Sequence, residues 1–223
     1  MQKNFSFSHT SLKNFETCPR QYHEVKVLKH HPFQETEATR YGNQVHEALE
    51  LYVRDGKEIP PEFAQFKDVA DSLMRKPGRK LAEYEMALTR DLQVCDWKDR
   101  NAWVRGIADI LILDDDNLTA WVGDYKTGND KYPDRDQLVL MSIMVFVHFP
   151  HIRKVNSALL FIVKNSMFRM QMQRDQAEAA WWRYRERTAK IEACHDSGVW
   201  NPSQSGLCRK HCPVTTCEFN GNH

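Results

Sequence analysis

Apolar residues recur along this chain with two periods, and the change from one to the other divides it. Over 8–17, Leu12 and Phe15 fall at helical spacing behind Ser8 or Ser11 as N-cap, which predicts a short helix. Pro19, after Cys18, ends or redirects it. The stretch 23–38 is mostly polar without a clear period, and His30, His31 and Pro32 mark a loop. Val45, Leu49, Tyr52 and Val53 stripe an amphipathic helix over 39–55, stopped by Gly56. Phe63, Phe66, Val69, Ala70 and Leu73 repeat the pattern over 61–75, until Pro77-Gly78 breaks it. The period then shortens to that of strands. Residues 81–94, 103–113 and 118–125 predict a three-strand meander, with Glu83 and Glu85 on one face of the first strand and Asp114-Asp115-Asp116-Asn117 as a hairpin turn. Over 133–149 the helical pattern returns. From Leu138 to Val147 only Ser142 is polar, so this helix is expected to be buried against a sheet. A strong strand over 155–163, a partner over 168–173 and a long helix from 174 to about 196 complete the pattern. Gly198 stops that helix before a Pro/Ser/Gly tail.

A chain of 223 residues with 41% hydrophobic content accommodates one α/β domain with decorations, or two small domains. No apolar run reaches the roughly 18 residues of a membrane span. The N-terminal stretch has no secretory pattern, so a cytoplasmic protein is expected. The net charge of +1 excludes a global basic field; a nucleic-acid partner would be met by local basic patches and metal ions.

Candidate chemistry centres on Trp121-Val122-Gly123-Asp124-Tyr125-Lys126-Thr127-Gly128, an apolar strand that ends in Asp-x-Lys and breaks at glycine. Residues two apart on a strand share a face, so Asp124 and Lys126 project together. A carboxylate offers hard oxygen ligands to a divalent cation, and an adjacent ammonium can hold a water or a phosphate oxygen. The pair suits metal-assisted phosphodiester hydrolysis, although Asp-x-Lys alone more often marks a solvated strand end. Asp109 sits among Ala108, Ile110, Leu111 and Ile112, where a carboxylate is costly to bury unless paired or metal-bound. The short turn between the second and third strands can bring it near Asp124. His46 could complete a metal shell through a neutral imidazole. Glu85 is a further carboxylate candidate, and Gln137 opens the next helix. Singly, His46 also reads as a packed or surface histidine, the two glutamates as a solvated strand face, and Gln137 as an early-helix polar residue.

In order, these stretches resemble the PD-(D/E)xK nuclease superfamily and, within it, the RecB-like branch, from about residue 8 to 217. Ser-His-Thr-Ser-Leu-Lys-Asn-Phe-Glu-Thr-Cys-Pro-Arg-Gln-Tyr (8–22) resembles that branch's N-terminal signature. Gly42-Asn43-Gln44-Val45-His46-Glu47 resembles its histidine motif, Gly106-Ile107-Ala108-Asp109 its first aspartate motif, and Gly123-Asp124-Tyr125-Lys126-Thr127 its Asp-Tyr-Lys-Thr core. The resemblance implies an α/β, restriction-endonuclease-like core with a central mixed sheet flanked by helices. It also implies Mg²⁺- or Mn²⁺-dependent DNA cleavage, frequently exonucleolytic. Carried over by motif, His46, Asp109, Asp124 and the backbone carbonyl of Tyr125 would hold metal, and Lys126 would be the catalytic lysine. Gln137 begins the family's Gln-x-x-x-Tyr motif, in which Met141 here replaces the tyrosine. Glu85 is an auxiliary candidate. Replication, recombination, repair or phage DNA metabolism are the implied settings. A nuclease of CRISPR spacer acquisition, with adaptation proteins as partners, is an alternative. A catalytically silent DNA-end-binding scaffold is another, though a full set of Asp109, Asp124 and Lys126 argues for an enzyme.

Of six cysteines, Cys208, Cys212 and Cys217 crowd the C-terminal end, while Cys18 lies at the other end of the chain. Closely spaced thiols in a cytosolic chain point to metal rather than disulfides. They resemble the iron–sulfur subset of RecB-like nucleases, AddB-like helicase–nuclease subunits and CRISPR-associated exonucleases. There, one early and three late cysteines hold a 4Fe–4S cluster that joins the termini within a single nuclease domain. Structural Zn²⁺, with His211 as an alternative ligand, and reduced cysteines in a loose tail are the other readings. Arg183, Arg185, Arg187 and Lys190 with Trp181 and Trp182 offer phosphate and base contacts, but Glu178 and Glu186 also fit a solvated mixed-charge helix. Arg20, Arg40 and Arg105 lie nearer the site motifs.

Overall fold

The computed structural model describes residues 5–32 and 34–221; the first four residues of the N-terminal stretch lie outside the described residues. In chain order the elements are α1 (His9–Thr17), α2 (Pro19–Tyr22), a π turn (His23–Val27), α3 (Glu37–Asp55), a 3-10 turn (Pro61–Phe66), α4 (Lys67–Met74), β1 (Arg79–Leu88), β2 (Val104–Asp114), β3 (Thr119–Lys126), α5 (Arg135–His148), β4 (Lys154–Phe161), β5 (Ser166–Gln173), a second 3-10 turn (Arg174–Gln176), α6 (Ala177–Ser197) and a last 3-10 turn (Gly206–Arg209). They fall into two compact units. Glu35–Trp181 forms one, and the two ends of the chain, Met1–Gln34 and Trp182–His223, form the other. Among the described residues no helix is long and apolar enough to cross a membrane.

The unit Glu35–Trp181 is built on a five-stranded mixed sheet of order β1-β2-β3-β4-β5. The first three strands form the antiparallel meander expected from the turn at 114–117. β4 then runs parallel to β3 after the α5 crossover, and β5 returns antiparallel as a hairpin. Alternation along β4 separates two layers. Ala158, Leu160 and Ile162 pack with Ile110 and Ile112 against Val45, Leu49, Phe66 and Leu73 of the α3–α4 layer, whereas Leu159 and Phe161 meet Leu138 of α5. Burial on every side of α5 explains its apolar sequence, and the one polar residue there, Ser142, donates its hydroxyl to the Leu138 carbonyl at 2.7 Å.

Local chemistry sets the helix ends. Thr36 and Thr39 form a reciprocal capping pair at the start of α3, and Gly56, at φ 67°, closes its other end. Ser8 caps α1 in the same reciprocal way with Ser11, which unites the two N-cap candidates. Three expectations shift. Part of the 23–38 stretch is a π turn rather than loop. The 61–75 helix begins as a 3-10 turn, where Pro60 and Pro61 limit the backbone and the Phe63 amide bonds the Pro60 carbonyl. The first strand ends at Leu88, and Val94 returns only as an isolated bridge to it.

Candidate active site

The sheet register aligns three carboxylates across three strands. Ala82↔Ile110 and Tyr84↔Ala108 bracket Glu83 and Asp109 without a change of register, so these two stand opposite each other. One residue beyond Ile110↔Gly123, Asp109 falls opposite Asp124. Backbone pairing lapses here and side chains replace it: the Tyr125 amide donates to Asp109 Oδ2 at 2.5 Å. Glu83 lies in the left-handed region at φ 46°, within a strand and without glycine's freedom. Such a conformation costs about 1–3 kcal/mol and persists where surrounding structure enforces it, most often at functional sites.

His46 reaches this row from α3. Gly42, one turn earlier, allows the approach, since a Cβ there would lie 3.2 Å from Thr127 Oγ1 just past β3. The His46 Nε2 is 2.9 Å from the Tyr125 carbonyl oxygen and Nδ1 is 3.4 Å from Asp109 Oδ2. Both neighbours are acceptors, so the ring satisfies both only as imidazolium. Burial alone lowers its pKa. The hydrogen bond and charge of Asp109, with Asp124 and Glu83, outweigh burial and raise it.

Asp124 is buried at the end of β3. Its Oδ1 accepts from the Gln137 amide at 2.5 Å, and its Oδ2 is 2.6 Å from Lys126 Nζ. Desolvation, then repulsion from Asp109, lift its pKa to about 6 against the pull of Lys126 and His46. Glu83, half-buried, is lifted to about 7 by the same two causes, with His46 opposing. Among these two acids and the histidine a bound positive charge would relieve the repulsion that raises the carboxyl pKa values. Ligand atoms of His46, Glu83 and Asp109 all lie within 4.8 Å of one another. This oxygen-and-nitrogen donor set fits a hard divalent cation such as Mg²⁺ or Mn²⁺.

Six of the sequence candidates converge here: His46, Asp109, Asp124, the Tyr125 carbonyl, Lys126 and Gln137. Glu85 does not join them. It is exposed opposite Ile107, and the register sets Glu83 against Asp109 instead. Both glutamates share a strand face in sequence, and only the pairing with β2 selects between them. Met141, where the resemblance expects a tyrosine, is buried in α5.

Within the unit formed by the chain ends, Cys18, Cys208, Cys212 and Cys217 line one pocket. Cys18 Sγ accepts from the amides of Gln21 and Ser203 at 3.5 and 3.4 Å, and Cys208 Sγ accepts from that of Ser205 at 3.4 Å. Burial raises the Cys212 thiol pKa, and the other three cysteines raise it further, as expected of sulfurs that share a space. Arg20 ties the strands of this pocket together through Glu218 at 2.7 Å and the Thr216 carbonyl at 3.3 Å. It is therefore engaged in structure, as are Arg40 with Glu35 and Arg105 with the Trp97 and Asp99 carbonyls. Trp181 is buried edge-on to Trp103, while Trp182 is exposed beneath Arg185.

A search of curated proteins finds no match. Among solved structures, a protein of Eubacterium rectale named as a candidate exonuclease is similar at 14% identity and TM-score 0.52, over 92% of this chain and 86% of its own. A likeness so distant in sequence bears on the fold alone. The crystal structure of SSO0001 is similar at 12% identity and TM-score 0.43, over 96% of this chain and 86% of its own. The profile of the PD-(D/E)XK nuclease superfamily matches residues 6–217. That span runs through the carboxylate row, the α3 histidine and the strand-end lysine, and this chain belongs to that superfamily.

Proposed function

We propose that this protein is a Mg²⁺- or Mn²⁺-dependent deoxyribonuclease of the RecB-like branch, acting as an exonuclease on DNA ends. The observation that carries this reading is the convergence of His46, Glu83 and Asp109 donor atoms beside the Asp124–Lys126 pair. His46, Glu83, Asp109 and Asp124 would hold the cation, with the Tyr125 carbonyl within reach of the same imidazole. A divalent ion in such a site polarises the scissile phosphate and acidifies water.

The chain's own groups supply the rest. Lys126 presents an ammonium where negative charge grows on the phosphate, and its tether to Asp124 aligns it. Gln137 holds the other Asp124 oxygen, and the Tyr125 amide holds Asp109, so both carboxylates are oriented before substrate arrives. Exonucleolytic action is the finer part of the proposal; it draws on the RecB-like motifs and on the E. rectale protein of like fold. Cys18, Cys208, Cys212 and Cys217 would hold a 4Fe–4S cluster, supported by one pocket lined by all four sulfurs, of which those of Cys18 and Cys208 accept backbone amides.

End-labelled linear DNA and closed-circular DNA, incubated with Mn²⁺, Mg²⁺ or EDTA, test the reading beside an Asp124→Ala variant. Degradation of linear DNA alone, abolished by EDTA and by the substitution, is expected. Cutting of the circle would reassign the protein as an endonuclease. Binding without cleavage would favour a silent scaffold. Iron and sulfide analysis of anaerobically purified protein tests the cluster, and stoichiometric zinc would replace it.

A further inference from the structure

A second groove lies on the α3–α4 face of the sheet, where α4 meets the outer strands β4 and β5. The registers align Trp121, Asn156 and Gln171 in one row across β3, β4 and β5, and Gly123, Ala158 and Arg169 in a neighbouring row on the same face. Gly123 and Ala158 of the second row are buried, and the groove opens beside them over Trp121, Asn156, Gln171 and Arg169. A Cβ at Gly123 would stand 2.6 Å from the Trp121 ring, so only glycine lets the indole pack against the strand there. Lys76 stands over the ring, its Nζ 5.5 Å from the ring centroid, just beyond the end of α4. Arg169, exposed on β5, rests its guanidinium against the Met167 thioether at 2.7 Å. Arg75, Lys76, Arg79 and Lys80 make the segment beside the groove basic, with no acid among residues 75–80.

This groove combines an aromatic ring, two amide side chains and flanking cations, with Asp68 of α4 as the acid in its lining. Ring, amides and cations are the parts that meet an unpaired polynucleotide: a base face, a base edge and phosphates. Trp121 is five residues from Lys126, about 16 Å along β3, and the odd spacing sets the two on opposite strand faces, so the groove is separate from the Asp124–Lys126 pair. We propose that this groove holds single-stranded DNA, stacking a base on Trp121 and taking phosphates on Lys76 and Arg169. The proposal rests on the reading that DNA is the substrate, and it adds a holding site that the hydrolytic chemistry does not require.

The test measures affinity of the full chain, in EDTA, for fluorescent oligothymidylates of about 4 and about 20 nucleotides and for a duplex of the longer length, across a salt series. Wild type is compared with Lys76→Glu/Arg169→Glu, which alters exposed or half-exposed side chains, and with Trp121→Ala; melts check folding. The charge variant is expected to lose about 10-fold or more in affinity for the longer single strand, with a salt slope shallower by about two, and in a separate assay with Mn²⁺ to cut the 4-mer as wild type does. Trp121→Ala, if folded, loses about 5- to 100-fold. Unchanged affinity for the longer strand in the charge variant overturns the groove while leaving the nuclease reading intact. Equal weakening of duplex and single strand overturns the assignment to unpaired DNA. A wild-type protein that neither binds nor cuts DNA removes the nuclease reading and the groove with it.

Discussion

Asp124→Asn should make the protein more stable while it abolishes activity, and the gain should depend on pH. The Asp124 carboxylate is buried, and its pKa stands at about 6 instead of 3.8 because desolvation and the nearby Asp109 outweigh Lys126 at 2.6 Å. At about 1.4 kcal/mol for each tenfold change in proton affinity, ionising it inside the fold costs on the order of 3 kcal/mol. A carboxyl with a raised folded pKa binds more protons folded than unfolded. Its cost is therefore absent below pH 4, grows as pH rises towards 6 and is complete above that. Asparagine keeps the acceptor for the Gln137 amide and carries no charge at any pH. In EDTA at pH 8 the variant should gain about 1–3 kcal/mol in urea unfolding followed by tryptophan fluorescence, and at pH 4.5 the gain should fall to about a third of that. A variant less stable than wild type at pH 8 would mean that the Lys126 attraction exceeds the desolvation cost, and would refute the reasoning.

Glu83→Gln should weaken Mn²⁺ binding at least tenfold by calorimetry, whereas Glu85→Gln should leave it unchanged, because only Glu83 joins His46 and Asp109. Cation affinity should climb from about pH 5 through and beyond 7, since Asp124 is lifted to about 6, Glu83 to about 7 and His46 above its ordinary value, and each must release its proton. An affinity flat with pH would contradict that assignment. Lys126→Met should lower kcat by about 10²–10³ with Mn²⁺ binding retained; a loss of metal binding instead would make the lysine structural. Leu49→Ala, which empties a site in the α3–α4 layer, should cost about 2–5 kcal/mol, read from the urea midpoint.

Much of this molecule is legible in its sequence because local physics is written locally. The stripe Val45, Leu49 and Val53 is the buried face of α3, the run from Leu138 to Phe146 is buried on all sides, and Gly56 and Gly198 close helices in left-handed conformations. Asp109, Asp124 and Lys126 stand out because a charge in an apolar strand demands a reason. Pairing across the sheet is not local. That Glu83 rather than Glu85 meets Asp109 depends on which β2 residue each one faces, and alternation alone leaves both on the same side. The left-handed φ of Glu83 and the imidazole caught between Tyr125 and Asp109 likewise arise only once separate strands and a helix are brought together. The sequence by itself determined the elements and the residue types of the site, because propensity and periodicity act over a few residues. Only the tertiary structure decided which carboxylates stand close enough to share a cation and in which direction their pKa values move, because register, desolvation and charge repulsion act between residues far apart in the chain.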